Sequence, residues 1–366
     1  MDFDYSDDSL QVQDLMRRFI KKHVLPRNSD WLRTADSGQY PLDVIEPLKA
    51  QAKADGLWNL FLPELQDHEP GTGMSNLDYA PLAEIMGRLP WAAEIFNCSA
   101  PDTGNMELLH RFATPEQYDR WLMPLLSGEI RSCFAMSEPD TASSDATNIS
   151  TTIRRDGDDY VIDGRKWFIT GANHPNCRFA IVLGRCDDNG NGDGNRHHQH
   201  SMVIVPMDSP GLEVVRNIPI MQHHSPEGHC EIAFRSVRVP AANLLGKPGE
   251  GFAMAQARLG PGRVHHCMRA IGQCELALEM MTERSMERRT FGKFLSEFEN
   301  IRDWIAESRL EIDQARLLVL QAAWRMDRFG NQAARVDVSA IKLVAARLQT
   351  RVVDRAIQVF GAMGLT

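Results

Sequence analysis

Two stretches of the chain bring together residue types that can hold a flat heteroaromatic ligand. The first, Phe134-Ala-Met-Ser-Glu-Pro-Asp-Thr-Ala-Ser-Ser-Asp145, sets short polar side chains at Ser137, Thr141, Ser143, Ser144 and Asp145 around Pro139. Proline disfavours helix there and the small polar groups bond nearby backbone, so the stretch is a shaped loop. The second, Lys166-Trp-Phe-Ile-Thr-Gly171, places aromatic rings beside the Thr170 hydroxyl. An aromatic face covers one side of a planar ligand while hydroxyls and backbone amides bond its polar edge. Each stretch alone reads as well as a serine-rich turn or an ordinary amphipathic strand; the two together favour the ligand.

A hairpin pattern positions them. Residues 151–155, the turn pair Asp156-Gly157, Tyr160-Val161-Ile162, a second turn pair Asp163-Gly164 and Trp167-Phe168-Ile169-Thr170 alternate strand with turn. Further β-rich runs at 179–183, 202–205, 212–215 and 230–234 predict a small antiparallel β-domain over residues 131–245. Helical spacing at 7–24, 42–54, 78–86 and 115–126 predicts an α-helical domain over residues 1–130. Beyond the β-domain, helical stretches at 252–259 and 263–289 flank Gly260-Pro261-Gly262, which should bend or unwind the element. One apolar face (Ile301, Ile305, Ile312, Ala315, Val319, Ala322, Met326) and a second (Val336, Ala340, Val344, Val352, Ala356, Val359) predict a four-helix bundle over residues 246–366. The fold class is therefore α+β, three domains in α-β-α order.

Composition narrows the function. The 366 residues suffice for two or three domains, and 40 basic against 49 acidic side chains give a charge of −9, which argues against a broad nucleic-acid surface. No apolar run approaches a membrane-spanning length and the start lacks a basic signal, so a cytoplasmic setting is the expectation. Seven cysteines stand singly, without a Cys-x-x-Cys pair, against structural zinc or a disulfide framework. The glycines of Asp187-Asp-Asn-Gly-Asn-Gly-Asp-Gly-Asn195 imitate a dinucleotide loop, but no helix follows, so this is a loop. Arg196, His197, His198 and His200 behind it read as solvated rather than metal-binding; a weaker reading takes Arg196 and the histidines to the phosphates of an anionic ligand.

The two stretches resemble the flavin-binding signatures of the acyl-CoA dehydrogenase family, and the likeness extends over essentially the whole chain. The loop Met136-Ser-Glu-Pro through Ser144-Asp145 is one residue longer than the commonest family form and is similar to a subgroup that reads Ser-Glu-Pro-Asp-x-Ala-Ser-Ser-Asp. Two more motifs match: Arg288-Arg-Thr-Phe-Gly-Lys293 and Gln358-Val-Phe-Gly361-Ala-Met-Gly364. Glu299 departs from a position where a neutral glutamine is usual, which puts that contact in doubt, since a carboxylate cannot donate.

The resemblance implies FAD bound without a Rossmann domain. Ser137 and the backbone around Phe134 and Met136 are expected at the pyrimidine edge, Phe168 beside the ring system, and Thr170 near N5. Ser144 is expected near the ribityl-diphosphate and the substrate's pantetheine arm, and Arg263 at the substrate. Arg288 would reach the diphosphate and Phe291 the adenosine end of an FAD held mainly by a neighbouring subunit, with Gln358 and Gly361 completing that pocket. The implied reaction is α,β-dehydrogenation of an acyl-CoA thioester to the trans-2-enoyl-CoA, with hydride going to flavin N5. Electrons would pass to an electron-transfer flavoprotein, and the protein would be a homodimer or homotetramer. No catalytic base is found: the usual carboxylate is expected beyond Thr366, and the alternative helix position is Gly262, without a side chain. An acyl-CoA oxidase and a non-catalytic flavin- or thioester-binding assembly protein remain the alternatives.

Overall fold

Serine hydroxyls start two of the N-terminal helices. Ser6 accepts from the Ser9 amide at the head of α1 (Asp7–Phe19), and Ser75 from the Asp78 amide at the head of α4 (Asn76–Gly87). Between them lie α2 (Asn28–Asp36) and α3 (Leu42–Ala54); α5 (Ala92–Ile95), α6 (Asp102–Phe112), α7 (Pro115–Gln117) and α8 (Met123–Leu126) follow. The structure, a computed structural model, describes residues 4–186 and 195–366; the glycine-rich run at 187–194 lies outside them. Helix α6 is absent from the sequence expectation because Gly104 and Asn105 weaken its propensity, and burial against the rest of the fold overrides that.

One sheet follows, made of β1 (Arg131–Ala135), β2 (Thr152–Asp156), β3 (Asp159–Thr170), β4 (Cys177–Cys186), β5 (His200–Pro206), β6 (Leu212–Asn217), β7 (His229–Pro240) and β8 (Leu244–Leu245). Its order is β6-β7-β3-β2-β4-β5-β8, with β1 beside β4. Most pairings are antiparallel, but β1 and β2 both run parallel to β4, which corrects the wholly antiparallel expectation. Strand β1 pairs along residues 177–182 of β4 and β2 takes up the same edge at Arg185. The polar loop carries the chain from the first stretch of that edge to the second, and β3 with the segment after it makes the return to β4 that parallel pairing needs. Asp163-Gly164 is not a turn either. Strand β3 runs through it with a register shift, Asp163 Oδ1 accepts from the Ser236 amide at 2.6 Å, and Gly164 (φ 155°) leaves room for Thr151 where a Cβ would collide.

The last third is built on α9 (Gly251–Glu287), α10 (Glu299–Ala333, broken at Gly330) and α11 (Arg335–Phe360), with a small β9–β10 hairpin (Arg289–Thr290, Lys293–Phe294) after α9. The chain does not unwind at Gly260-Pro261-Gly262: α9 continues through it as one helix, with Pro261 buried. A proline removes one backbone bond, which the packing of a 37-residue helix against its neighbours offsets. Three long helices come from this region, and α4 packs against α9 and α10 as a fourth. Helix α11 buries Val338, Ile341, Ala345, Leu348, Val352 and Val359 and leaves Val336 and Val344 outside, so its inner face is rotated from the expected one. Among the described residues no helix is long and apolar enough to cross a membrane.

Candidate active site

Glu138 organises the polar loop. Its carboxylate accepts from the Ser150 amide (2.8 Å), the Ser150 hydroxyl (2.6 Å), the Thr151 amide (2.8 Å) and Lys166 Nζ (3.0 Å). Lys166, fully buried in β3, also donates to the carbonyls of Met136 (2.9 Å) and Leu183 (2.7 Å). Burial by itself would raise the Glu138 pKa; the Lys166 charge and the Ser150 and Thr151 donors outweigh it and hold the carboxyl down at about 2. Burial draws Lys166 down to about 8, partly countered by Glu138. Sequence reasoning missed Lys166; the signal was a lysine in the middle of an aromatic strand.

This anchor brings the two stretches together. The Trp167 amide donates to the Ser137 carbonyl at 3.0 Å, so Ser137, Phe168 and Thr170 share one rim. Phe168 is 45% exposed at φ 51°, a backbone conformation that costs a bulky residue about 1–3 kcal/mol and is kept where the surroundings demand it. Thr170 Oγ1 lies 2.9 Å from His229 Nδ1, a partner no sequence motif announced. Behind β1, the Arg258 guanidinium sits 3.9 Å from the centre of the Phe134 ring and donates to Asn105 Oδ1 at 3.0 Å. Ser144 and Asp145 are exposed on the same loop, and Arg196 donates to Asn148 Oδ1 at 3.0 Å beside it. Among the described residues no group of three or more His, Cys, Asp or Glu side chains could hold a metal ion.

A cavity of about 690 Å³ opens next to Gly171, walled by Glu94, Arg131, His174, His266 and Arg269. Its wall is charged. Glu94 takes His174 Nε2 at 3.2 Å, Arg131 Nη2 at 3.6 Å and the Tyr40 hydroxyl; Arg131 Nε reaches Asp102 Oδ2 at 2.7 Å. Burial opposes charge on Glu94, yet Arg131 and His174 keep it ionised far below the usual carboxylate range. Five separate segments supply these residues, so no local motif could have revealed them. Arg263 stands on α9 one turn before His266, and a Cβ built on neighbouring Gly262 meets no atom within 4 Å.

The remaining expected residues lie elsewhere. Arg288 caps the far end of α9, Phe291 is 93% exposed at φ 48° in the β9–β10 turn, and Gln358 and Gly361 close α11. Arg284 joins those ends, its guanidinium 5.6 Å from the Phe360 ring. From Arg258, against Phe134, to Arg288 is thirty residues of one helix, about 45 Å at 1.5 Å per residue. The chain therefore carries two separated groups of candidate contacts: a ring and hydroxyls at one, and at the other guanidinium charge of the kind that pairs with a diphosphate.

Comparison with known proteins places the whole chain in a family. Residues 6–129, 133–237 and 249–366 match the family models for the acyl-CoA dehydrogenase N-terminal, middle and C-terminal domains. The chain is 50% identical to a Mycobacterium tuberculosis protein named probable acyl-CoA dehydrogenase FadE2, over 100% of this chain and 89% of that one. It is 51% identical to acyl-CoA dehydrogenase family member 10 of Mus musculus over 97% of this chain, yet spans 33% of that longer protein. The solved butyryl-CoA dehydrogenase of Megasphaera elsdenii superposes with a TM-score of 0.83 at 28% identity, covering 100% of this chain and 91% of that one. The chain belongs to the acyl-CoA dehydrogenase family of FAD-dependent oxidoreductases.

Proposed function

We propose that the protein dehydrogenates an acyl-CoA thioester at its α and β carbons to give the trans-2-enoyl-CoA, working in the cytoplasm as a homodimer or homotetramer and passing electrons to an electron-transfer flavoprotein. The bond between the Trp167 amide and the Ser137 carbonyl carries this reading, because it joins both flavin motifs at one rim. When bound, FAD supplies a hydride acceptor at N5. Ser137 and the backbone at Phe134 and Met136 would hold its pyrimidine edge, Phe168 would pack beside its ring system, and Thr170 would offer its hydroxyl near N5. Ser144 would serve the ribityl-diphosphate and the substrate's pantetheine arm, and Arg263 the substrate. Arg288, Phe291, Gln358 and Gly361 would serve the FAD of a neighbouring copy, a reading that the length of α9 supports.

Removal of the α proton needs a desolvated, correctly aimed carboxylate. Glu138 does not qualify, since its oxygens are held by Lys166, Ser150 and Thr151, and Gly262 has no side chain. Among the described residues none is assigned that role. The cavity beside Gly171 is the proposed acyl pocket. Its charged wall, with Arg131 Nη1 buried and lacking a hydrogen-bond partner among the described residues, supports a substituted acyl group over a plain alkyl chain.

The test is anaerobic absorbance of the full-length holoprotein titrated with a panel of acyl-CoA thioesters. Bleaching of the flavin band with formation of 2-enoyl product is expected. A band that is perturbed but never bleached overturns dehydrogenation in favour of a binding protein, and rapid reoxidation in air replaces the dehydrogenase reading with an oxidase.

A further inference from the structure

Thr170 is held by a partner whose chemistry matters. His229 stands directly across from it in the β3–β7 ladder, and Nδ1 lies 2.9 Å from the Thr170 oxygen. The backbone beneath the histidine is fixed: the His229 amide donates to Asn217 Oδ1 at 2.9 Å, and Asn217 donates to the Ser225 carbonyl at 2.9 Å. The ring is partly exposed.

A hydroxyl has a single proton to donate. With Nδ1 unprotonated, Thr170 must donate to the imidazole and can only accept from a ligand. With a proton on Nδ1, Thr170 accepts from the imidazole and its own proton is free for the ligand. A flavin N5 accepts a hydrogen bond when oxidised and donates one when reduced. The hydroxyl beside it therefore has to reverse direction during turnover, and a partner fixed in one role would leave a donor facing a donor or an acceptor facing an acceptor, which is costly in a desolvated site.

We propose that His229 is the positioning residue that lets the Thr170 hydroxyl reverse, presenting Nδ1–H while Thr170 donates outward and a bare Nδ1 while Thr170 accepts. In that exchange the imidazole releases its Nδ1 proton and takes one at Nε2 from solvent, so its charge is unchanged and Thr170 keeps one proton throughout. The inference rests on the proposed placement of Thr170 beside N5.

The experiment measures, on the holoprotein, the flavin midpoint potential, the bound-flavin spectrum and the single-turnover bleaching rate for Thr170→Val, His229→Leu, His229→Asn and the Thr170→Val/His229→Leu double variant. His229→Leu is expected to slow bleaching about tenfold, the worth of roughly one net hydrogen bond, and to shift the potential, with FAD content unchanged. An asparagine amide can reach the Nδ1 position and either donate or accept, so His229→Asn should stay within about threefold of wild type. On the Thr170→Val background His229→Leu should add nothing further. If His229→Leu loses FAD, His229→Ser replaces it, being too short to reach Thr170. Wild-type potential and rate in the Leu or Ser variant, beside a defective Thr170→Val, overturn the role of His229 alone. A Thr170→Val protein with unaltered spectrum and potential overturns the placement of Thr170 instead.

Discussion

Lys166 reaches from the middle of β3 to the Glu138 carboxylate, 3.0 Å away, and both side chains are buried. The pair turns two local motifs into one site: the loop from β1 hangs on Glu138, and the strand that carries Phe168 and Thr170 hangs on Lys166. Lys166→Met leaves Glu138 buried without its counter-charge, a loss of about 3–5 kcal/mol. Urea unfolding should show that loss, and the double variant Glu138→Gln/Lys166→Met should recover part of it. Additive losses in the double variant would mean that the two groups do not act as a pair.

Acid should undo the same anchor. The Glu138 pKa is about 2 in the folded protein against an ordinary 4.5, so its contribution is complete above about pH 4.5 and is lost as pH falls toward 2. Unfolding free energies of wild type and Glu138→Gln, measured across that range, should converge as pH drops. A constant gap between them contradicts the assignment.

Phe168 trades stability for presentation of its ring. Glycine adopts φ 51° without strain, so Phe168→Gly should stabilise the apoprotein by about 1 kcal/mol while lowering FAD content. A variant that loses stability and keeps its flavin would show the ring to be packing rather than a flavin contact.

If two copies complete each flavin site, damage to opposite halves should complement. Phe168→Gly and Arg288→Glu should each bind little FAD alone. Co-assembled, they leave one intact site in every mixed pair, and flavin content should recover accordingly. No recovery in isolated mixed oligomers would place both halves in one chain, against the 45 Å or so of helix between them.

Two glycines of α9 should respond oppositely to alanine. A Cβ at Gly272 runs into the backbone of Glu84, and one at Gly87 into that of Arg269, so these glycines let α4 and α9 approach. Gly272→Ala should cost about 1–3 kcal/mol. Gly262, with no atom near its built Cβ, should gain up to about 1 kcal/mol as alanine, because glycine is a poor helix former. Thermal unfolding of the two variants checks both signs.

Local order was largely legible in the sequence. Helix α3 falls at residues 42–54 as the apolar spacing indicates, and the β2–β3 hairpin turns one residue on from the expected pair, at Gly157-Asp158, where Gly157 takes φ 64°. The Asp163-Gly164 pair misled because the same dipeptide serves a turn or a bulge, and only the neighbouring strand β7, through Ser236, decides between them. The helix expected to bend or unwind at Pro261 continues through it because packing along its whole length outweighs one missing bond.

The sequence by itself determined the alternation of helical and β-rich segments, the two motifs at 134–145 and 166–171 and the family they resemble, since each depends on residue type and short spacing. Tertiary structure alone decided the parallel pairing on β4, the Lys166–Glu138 anchor, the His229 partner of Thr170, the charged cavity wall and the distance along α9 between Arg258 and Arg288. The reason is physical: periodicity records which side of an element avoids water, but a buried polar group's partner comes from whichever distant segment the closed fold brings within hydrogen-bond reach.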